Sequence, residues 1–145
     1  PYSSSILNIS AMSFGALSKN AVIALNQGAK MGSFSHNTGE GGVSPYHLQG
    51  GDLVWQVGTG YFGCRDKEGK FCSDRFTDNS SREQIKMIEI KLSQGAKPGH
   101  GGMLLAPKVT NEIAMTRGIE AGKDCISPAK HKEFSNPFQL LLHLY

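Results

Sequence analysis

Apolar residues recur along the chain with two spacings. They run or alternate as in strands over Ser5–Met12 and Met87–Ser93, and they share one helical face at Ala21, Val22, Leu25 and Ala29. The stretch SILNISAM (Ser5–Met12) predicts a buried strand ending in the turn Ser13–Gly15. Ser18 then caps a helix that runs to Lys30 and beyond, with Gly32 just past its end. Ser33–His36 predicts a short second strand leading into Asn37–Gly42. Residues 43–63 are irregular and punctuated by glycine, with weak strand character at Leu53–Gly58 and Gly60–Gly63. Residues 65–81 predict a polar surface loop, Ser80–Met87 the start of a short helix, and Met87–Ser93 a strand. Pro107–Gly118 predicts a helix capped by Thr110 or Asn111 and ended by Gly118. Ser135–Tyr145 predicts another, with Asn136 as its cap and Pro137 in its first position.

The repeating unit is strand, polar loop, helix, which makes the fold class α/β with a parallel sheet. The glycine-rich loops follow strands, where such folds place their ligand sites. An eight-unit barrel takes about 250 residues. The 145 residues here have room for roughly half of one, and neither a repeat nor a linker divides them.

Composition narrows the function classes. Hydrophobic content of 39% and charged content of 19% are those of a folded globular chain. The net charge of +3 is spread without a Lys/Arg run, which argues against nucleic acid as a partner. No apolar stretch reaches the roughly 20 residues of a membrane span, and a reducing cytoplasm is the expected location. Cys64, Cys72 and Cys125 are odd in number and lack CxxC spacing, so neither a disulfide framework nor a zinc site is expected. His36 and His47 have no metal-ligand spacing either, and no metal site is expected. The chain opens without an initiator Met and closes on an apolar run, so both ends read as cut.

Four constellations carry candidate chemistry. Ala11–Gly15 either lets a flat ligand approach the backbone of Met12 and Ser13 or is an ordinary strand-to-helix turn. Glu40 stands among three glycines in HNTGEGG, as an acid/base or gate or as a solvated loop carboxylate. In KLSQGAKPGHGG, strand alternation points Lys91 and Ser93 one way and Leu92 and Gln94 the other, with Lys97 in the loop beyond. Two ammonium groups so close favour an anion beside them, solvated lysines being the plainer alternative. Arg117 ends a helix, where its fork suits a carboxylate or the helix dipole. His100 and His131 are candidate proton donors, though single histidines are more often structural.

Together, the segments ISAMSFGALS, NTGEGG, QVGTGYFG, IKLSQGAKPGHGG, PKVTNEIA and SPAKH resemble, in this order, the FMN-binding domain of glutamate synthase. The variants GTGYFGCRDKEGKF and KPGHGG are most similar to the stand-alone glutamate-synthase-related proteins. The resemblance implies the N-terminal part of a TIM barrel: a partial FMN-binding domain over residues 1–145, without the barrel's C-terminal half. It implies an FMN-dependent oxidoreductase of glutamate biosynthesis and ammonia assimilation, reducing 2-iminoglutarate, formed from 2-oxoglutarate and ammonia, to glutamate. Met12, Ser13 and Gly15 would lie against the FMN ring, and Lys91 would meet the flavin's pyrimidine edge or the substrate. Gln94, Lys97 and Arg117 would bind the dicarboxylate, and Glu40 would gate or assist proton transfer. Electrons would come from a donor protein or an NAD(P)H-linked subunit.

In the family, the cysteines of a 3Fe-4S cluster and the loops that grip the FMN phosphate follow the region matching SPAKH, so both are expected only in a longer parent protein. His100 stands where the large synthases usually carry glutamate, which leaves the substrate open. The rival readings are a non-catalytic fragment of such an enzyme and a barrel that binds another phosphate ligand.

Overall fold

A computed structural model describes residues 1–144; Tyr145, at the end of the predicted C-terminal helix, lies outside the described residues. Three parallel strands form the main sheet in the order β1 (His36–Asn37), β2 (Leu53–Val57) and β3 (Ile85–Ile90). A single parallel bridge from Ile9 to His36 extends the sheet beyond β1. This mixed α/β architecture with parallel strands agrees with the expected class.

β2 is buried along its whole length, as a central parallel strand covered on both faces must be. Its odd members Trp55 and Val57 pack with Tyr61, Cys64 and, from the next helix, Phe76, whose ring stacks on Trp55 at 5.3 Å. Opposite, Gln56 bonds the Glu89 side chain of β3. A second core joins Phe14, Val22, Phe62, Val109 and Ile113.

α1 (Lys19–Gly32) follows from its sequence. Ser18 Oγ accepts the Ala21 N–H, and Val22, Asn26 and Ala29 form the buried face. The buried Asn26 is satisfied, because its Oδ1 accepts the N–H groups of Gln49 and Gly51 at 3.0 Å. α3 (Asn111–Arg117) starts from Thr110, whose hydroxyl accepts the Ile113 N–H, and ends at left-handed Gly118. α4 (Pro137–Leu144) has Asn136 Oδ1 capping the Gln139 N–H, as predicted.

Several expectations are corrected. Ser5–Met12 is not a buried strand: it forms one bridge, at Ile9, and a further main-chain bond from Met12 N–H to Asn37 O, while Ile6 and Leu7 are exposed. Ser5 and Asn8 there bond local backbone groups, which competes with sheet pairing. Gly32 is the last helical residue, and the left-handed position past it is Ser33. The second strand falls at His36–Asn37, later than Ser33–His36. The loop over 65–81 contains helix α2 (Ser73–Ser80), and the helix placed at Ser80–Met87 is instead a turn leading into β3. Gly60–Gly63 is a turn, with Tyr61 at φ 51°. Beyond β3, β4 (Met103–Leu104) pairs antiparallel with β5 (Cys125–Ile126).

Candidate functional site

Glu40, Lys91 and Gln94 meet just past the C-terminal ends of the parallel strands. Glu40 follows β1 after Gly39, whose left-handed turn brings the chain against the backbone of Ser13. Lys91 directly follows β3, and its N–H still donates to Val57 O at 2.9 Å. The Gln94 amide donates to both Glu40 oxygens at 2.9 Å. The Lys91 ammonium lies 3.4 Å from Glu40 Oε1 and donates to Gln94 Oε1 at 3.2 Å. Both charged side chains are partly exposed, which leaves their heads open to a ligand.

Two distant glycines make room for this carboxylate. A Cβ at Gly58 would lie 2.8 Å from Glu40 Oε2, and one at Gly102 would lie 2.9 Å from Glu40 Oε1. Ser127 Oγ closes the same side by accepting the Gly102 N–H at 3.0 Å.

The remaining candidates divide. Met12 and Ser13 are half-buried, and Ser13 adjoins Gly39 and Gly41, on either side of Glu40. Gly15, at φ 106°, faces the Arg117 guanidinium. Arg117 does not stand with Lys91 and Gln94. It is buried, donates to Phe14 O at 3.3 Å and to Cys125 Sγ, and lies over the Phe62 ring at 5.2 Å. Its helix end does not leave it facing solvent, because the α3 face carrying Ile113 and Ala114 packs inward. Lys97 is exposed in the loop. The alternation argument also fails at Gln94, because the chain leaves the strand after Ile90 and brings Gln94 back onto Lys91. The anion beside Lys91 in this structure is the protein's own Glu40.

His100 is exposed, with its ring Nδ1 on Pro98 O and its main-chain N–H on Lys97 O. His131 is buried, with Nδ1 3.0 Å from Tyr61 Oη and Nε2 2.9 Å from Lys91 O. Burial lowers its proton affinity, partly opposed by the Lys91 carbonyl, and burial raises the Tyr61 hydroxyl. Tyr61 and Ser127 escaped the sequence reading; the only signal for Tyr61 is an aromatic set between glycines in GTGYFG. The three cysteines are free thiols, and burial pushes Cys64 up to about 12. Among the described residues no group of three or more His, Cys, Asp or Glu is placed to hold a metal, and no helix is long and apolar enough to cross a membrane. The cavity of about 650 Å³ between α2 and α3, lined by Arg65, Arg75, Arg82 and Arg117, does not reach Glu40.

The family model described as the conserved region in glutamate synthase matches residues 3–145. The chain belongs to the glutamate synthase family. This family chain is 45% identical over 142 residues to the glutamate synthase large subunit-like protein YerD of Bacillus subtilis, covering 97% of this chain and 27% of that one. It is 39% identical to the archaeal-type glutamate synthase [NADPH] of Thermotoga maritima, over 85% of this chain and 22% of the relative. Against the archaeal glutamate synthase [NADPH] of Methanocaldococcus jannaschii it is 40% identical, over 86% of this chain and 22% of the relative. The glutamate synthase region seen here thus spans about a quarter of the length of these relatives.

Proposed function

We propose that this chain supplies the ring-binding side of an FMN-dependent, glutamate-synthase-type oxidoreductase that reduces 2-iminoglutarate, from 2-oxoglutarate and ammonia, to glutamate. The observation that carries this reading is the convergence of Glu40, Lys91 and Gln94 at strand C-termini, next to the Ser13 loop. The parallel strands are read as the first part of a TIM barrel, and the location as cytoplasmic.

The residues fit a flavin's ring end. Gly39 and Gly41 hold the Met12–Ser13 backbone close to Glu40, and the partly exposed Lys91 and Gln94 offer donors suited to an electron-rich heterocycle or a carboxylate. FMN held there would supply the hydride chemistry needed at the imine carbon. Lys91 holds the negative edge of the ligand, and Gln94 orients it. Glu40 gates the site, because an incoming anion must take the donors that Glu40 now occupies, and the displaced carboxylate then relays a proton toward the imine nitrogen. Gly15 lines the ring side. Arg117 supports that loop through Phe14 O, and Lys97 reaches the dicarboxylate only after the exposed loop folds inward. Two relatives are named for NADPH, which supports an NAD(P)H-linked subunit or donor protein as electron source. A 3Fe-4S cluster would be possible only in a longer parent protein.

A second reading, a non-catalytic partial barrel, is favoured by one observation: β3 ends the sheet without a further partner among the described residues. Titrating the chain with FMN, followed by flavin absorbance and fluorescence, separates the two. Saturable binding that 2-oxoglutarate perturbs, and that Lys91→Met weakens, supports the enzyme reading. Absence of binding favours the inert fragment.

A further inference from the structure

The buried ring of His131 ties the candidate site to the turn after β2. Its Nε2 is 2.9 Å from the main-chain oxygen of Lys91, and a carbonyl only accepts, so Nε2 carries the proton. In the neutral ring Nδ1 is then bare and accepts the Tyr61 O–H at 3.0 Å. The Tyr61 oxygen in turn accepts the main-chain N–H groups of Lys132 and Glu133, at 3.2 and 3.4 Å. Each partner forces the role of the next, and both ring nitrogens of His131 and the Tyr61 hydroxyl are satisfied.

Lys91 sits where such a tie matters. It is the last residue bonded to β2, and the loop beyond it is exposed, with Gly95 and Gly99 meeting nothing within 4 Å. A strand end next to so open a loop frays unless something holds it. Its main chain is held on one side by Val57 O and on the other by His131, while its ammonium reaches Glu40 and Gln94.

The geometry points to Tyr61 and His131 as a positioning pair: Tyr61 fixes the tautomer of His131, and His131 clamps the Lys91 carbonyl so that the amine stays on Glu40 and Gln94. This rests on the reading of Glu40, Lys91 and Gln94 as the functional site. Phe134 stacks on the imidazole at 4.6 Å and holds its plane. The titratable groups around the pair are His143, Glu133 and Cys64, and none of their side chains bonds a ring nitrogen of His131. A second proton on Nδ1 finds no acceptor, since both Tyr61 lone pairs are taken, so protonation breaks the Tyr61–His131 link while Nε2–H goes on donating to Lys91 O, which changes the field at that carbonyl.

The test uses the full chain with labelled histidine nitrogens and with ¹³C at the lysine carbonyls and Cε, followed by NMR from about pH 8 to about pH 4. Expected are a single Nε2–H tautomer and a Lys91 carbonyl signal that titrates with His131, below the free-histidine midpoint. Tyr61→Phe raises that midpoint. Glu40→Gln shifts the Lys91 Cε signal in the parent chain; His131→Ala loses most of this response, and His131→Gln, whose amide donates to the same carbonyl, retains it. An Nδ1–H tautomer, an unmoved midpoint in Tyr61→Phe, or an intact Lys91 response in folded His131→Ala overturns the proposal. If His131→Ala does not fold, Tyr61→Phe and His131→Gln decide it. An FMN titration of the parent chain runs alongside. No flavin binding with the NMR results as expected sinks the flavin reading and leaves the clamp; flavin binding with contrary NMR results does the reverse.

Discussion

Gly39 and Gly122 share a left-handed backbone, at φ 66° and 71°, but differ in what surrounds them. A Cβ at Gly39 would lie 2.7 Å from the Ser13 main-chain nitrogen and 2.9 Å from Ser13 Cβ, whereas one at Gly122 meets nothing within 4 Å. Alanine in this conformation costs about 1 kcal/mol at either position. At Gly39 the Ser13 backbone must also move, which adds about 1–3 kcal/mol, as overpacking does elsewhere. Gly39→Ala is therefore expected to lose about 2–4 kcal/mol and Gly122→Ala about 1 kcal/mol. Set against a typical total of about 5–15 kcal/mol, the first is a large fraction. Urea unfolding followed by fluorescence of Trp55, the single tryptophan, reads both variants, provided their m values match. A difference under about 0.5 kcal/mol refutes the close approach of Gly39 to Ser13, and with it the placement of the Met12–Ser13 loop beside Glu40.

Glu40→Gln is expected to cost under about 1 kcal/mol of stability, since its ion pair with Lys91 is partly exposed. In an assay of glutamate formation by the complete enzyme, the same variant lowers turnover about 100-fold or more, the scale of a lost proton relay. Burial holds His36 near a pKa of about 4, and it lowers His47 and His131 as well. The unfolded chain therefore binds more protons below the ordinary histidine range, and stability falls as pH drops. His36 alone accounts for a loss of about 3 kcal/mol by pH 4. Urea midpoints at descending pH measure that slope, and His36→Phe should flatten it. With Cys64 pushed up to about 12 by burial and Cys125 also buried, the half-buried Cys72 is expected to react first with an alkylating reagent in the native chain, read by mass spectrometry of digested protein.

How much of this was legible in the sequence follows from the range of the forces involved. Caps were legible because Ser18, Thr110 and Asn136 act on amides three residues away. β2 could be read only weakly. A strand buried on both faces lacks alternation, and its stability comes from partners 17 and 32 residues away at its first residue: Leu53 pairs His36 in β1 on one side and Ile85 in β3 on the other. α2 was missed because none of its residues is buried, so its polar sequence carries no apolar stripe. Phe76 attaches it to Trp55, and Asn79 donates to Gly63 O at 2.6 Å.

The candidate site divides in the same way. Lys91, Gln94 and Glu40 could be named from residue type, but their contact could not, because Glu40 and Gln94 stand 54 residues apart. The glycine clusters held the missing information in a form that composition cannot decode. Gly58 and Gly102 look like loop punctuation, yet each leaves space for the same carboxylate. Arg117 shows the converse: in the sequence a terminal helix cation offers its fork to a carboxylate or to the helix dipole, and only packing reveals that it is buried and donates to Phe14 O. A charged residue's role is thus set by which element buries its stem, and that is a property of packing. The two lysines illustrate the rule. Lys91 is held at both ends of its main chain and presents its amine to Glu40, while Lys97, six residues on, has the same chemistry but lies exposed in the loop.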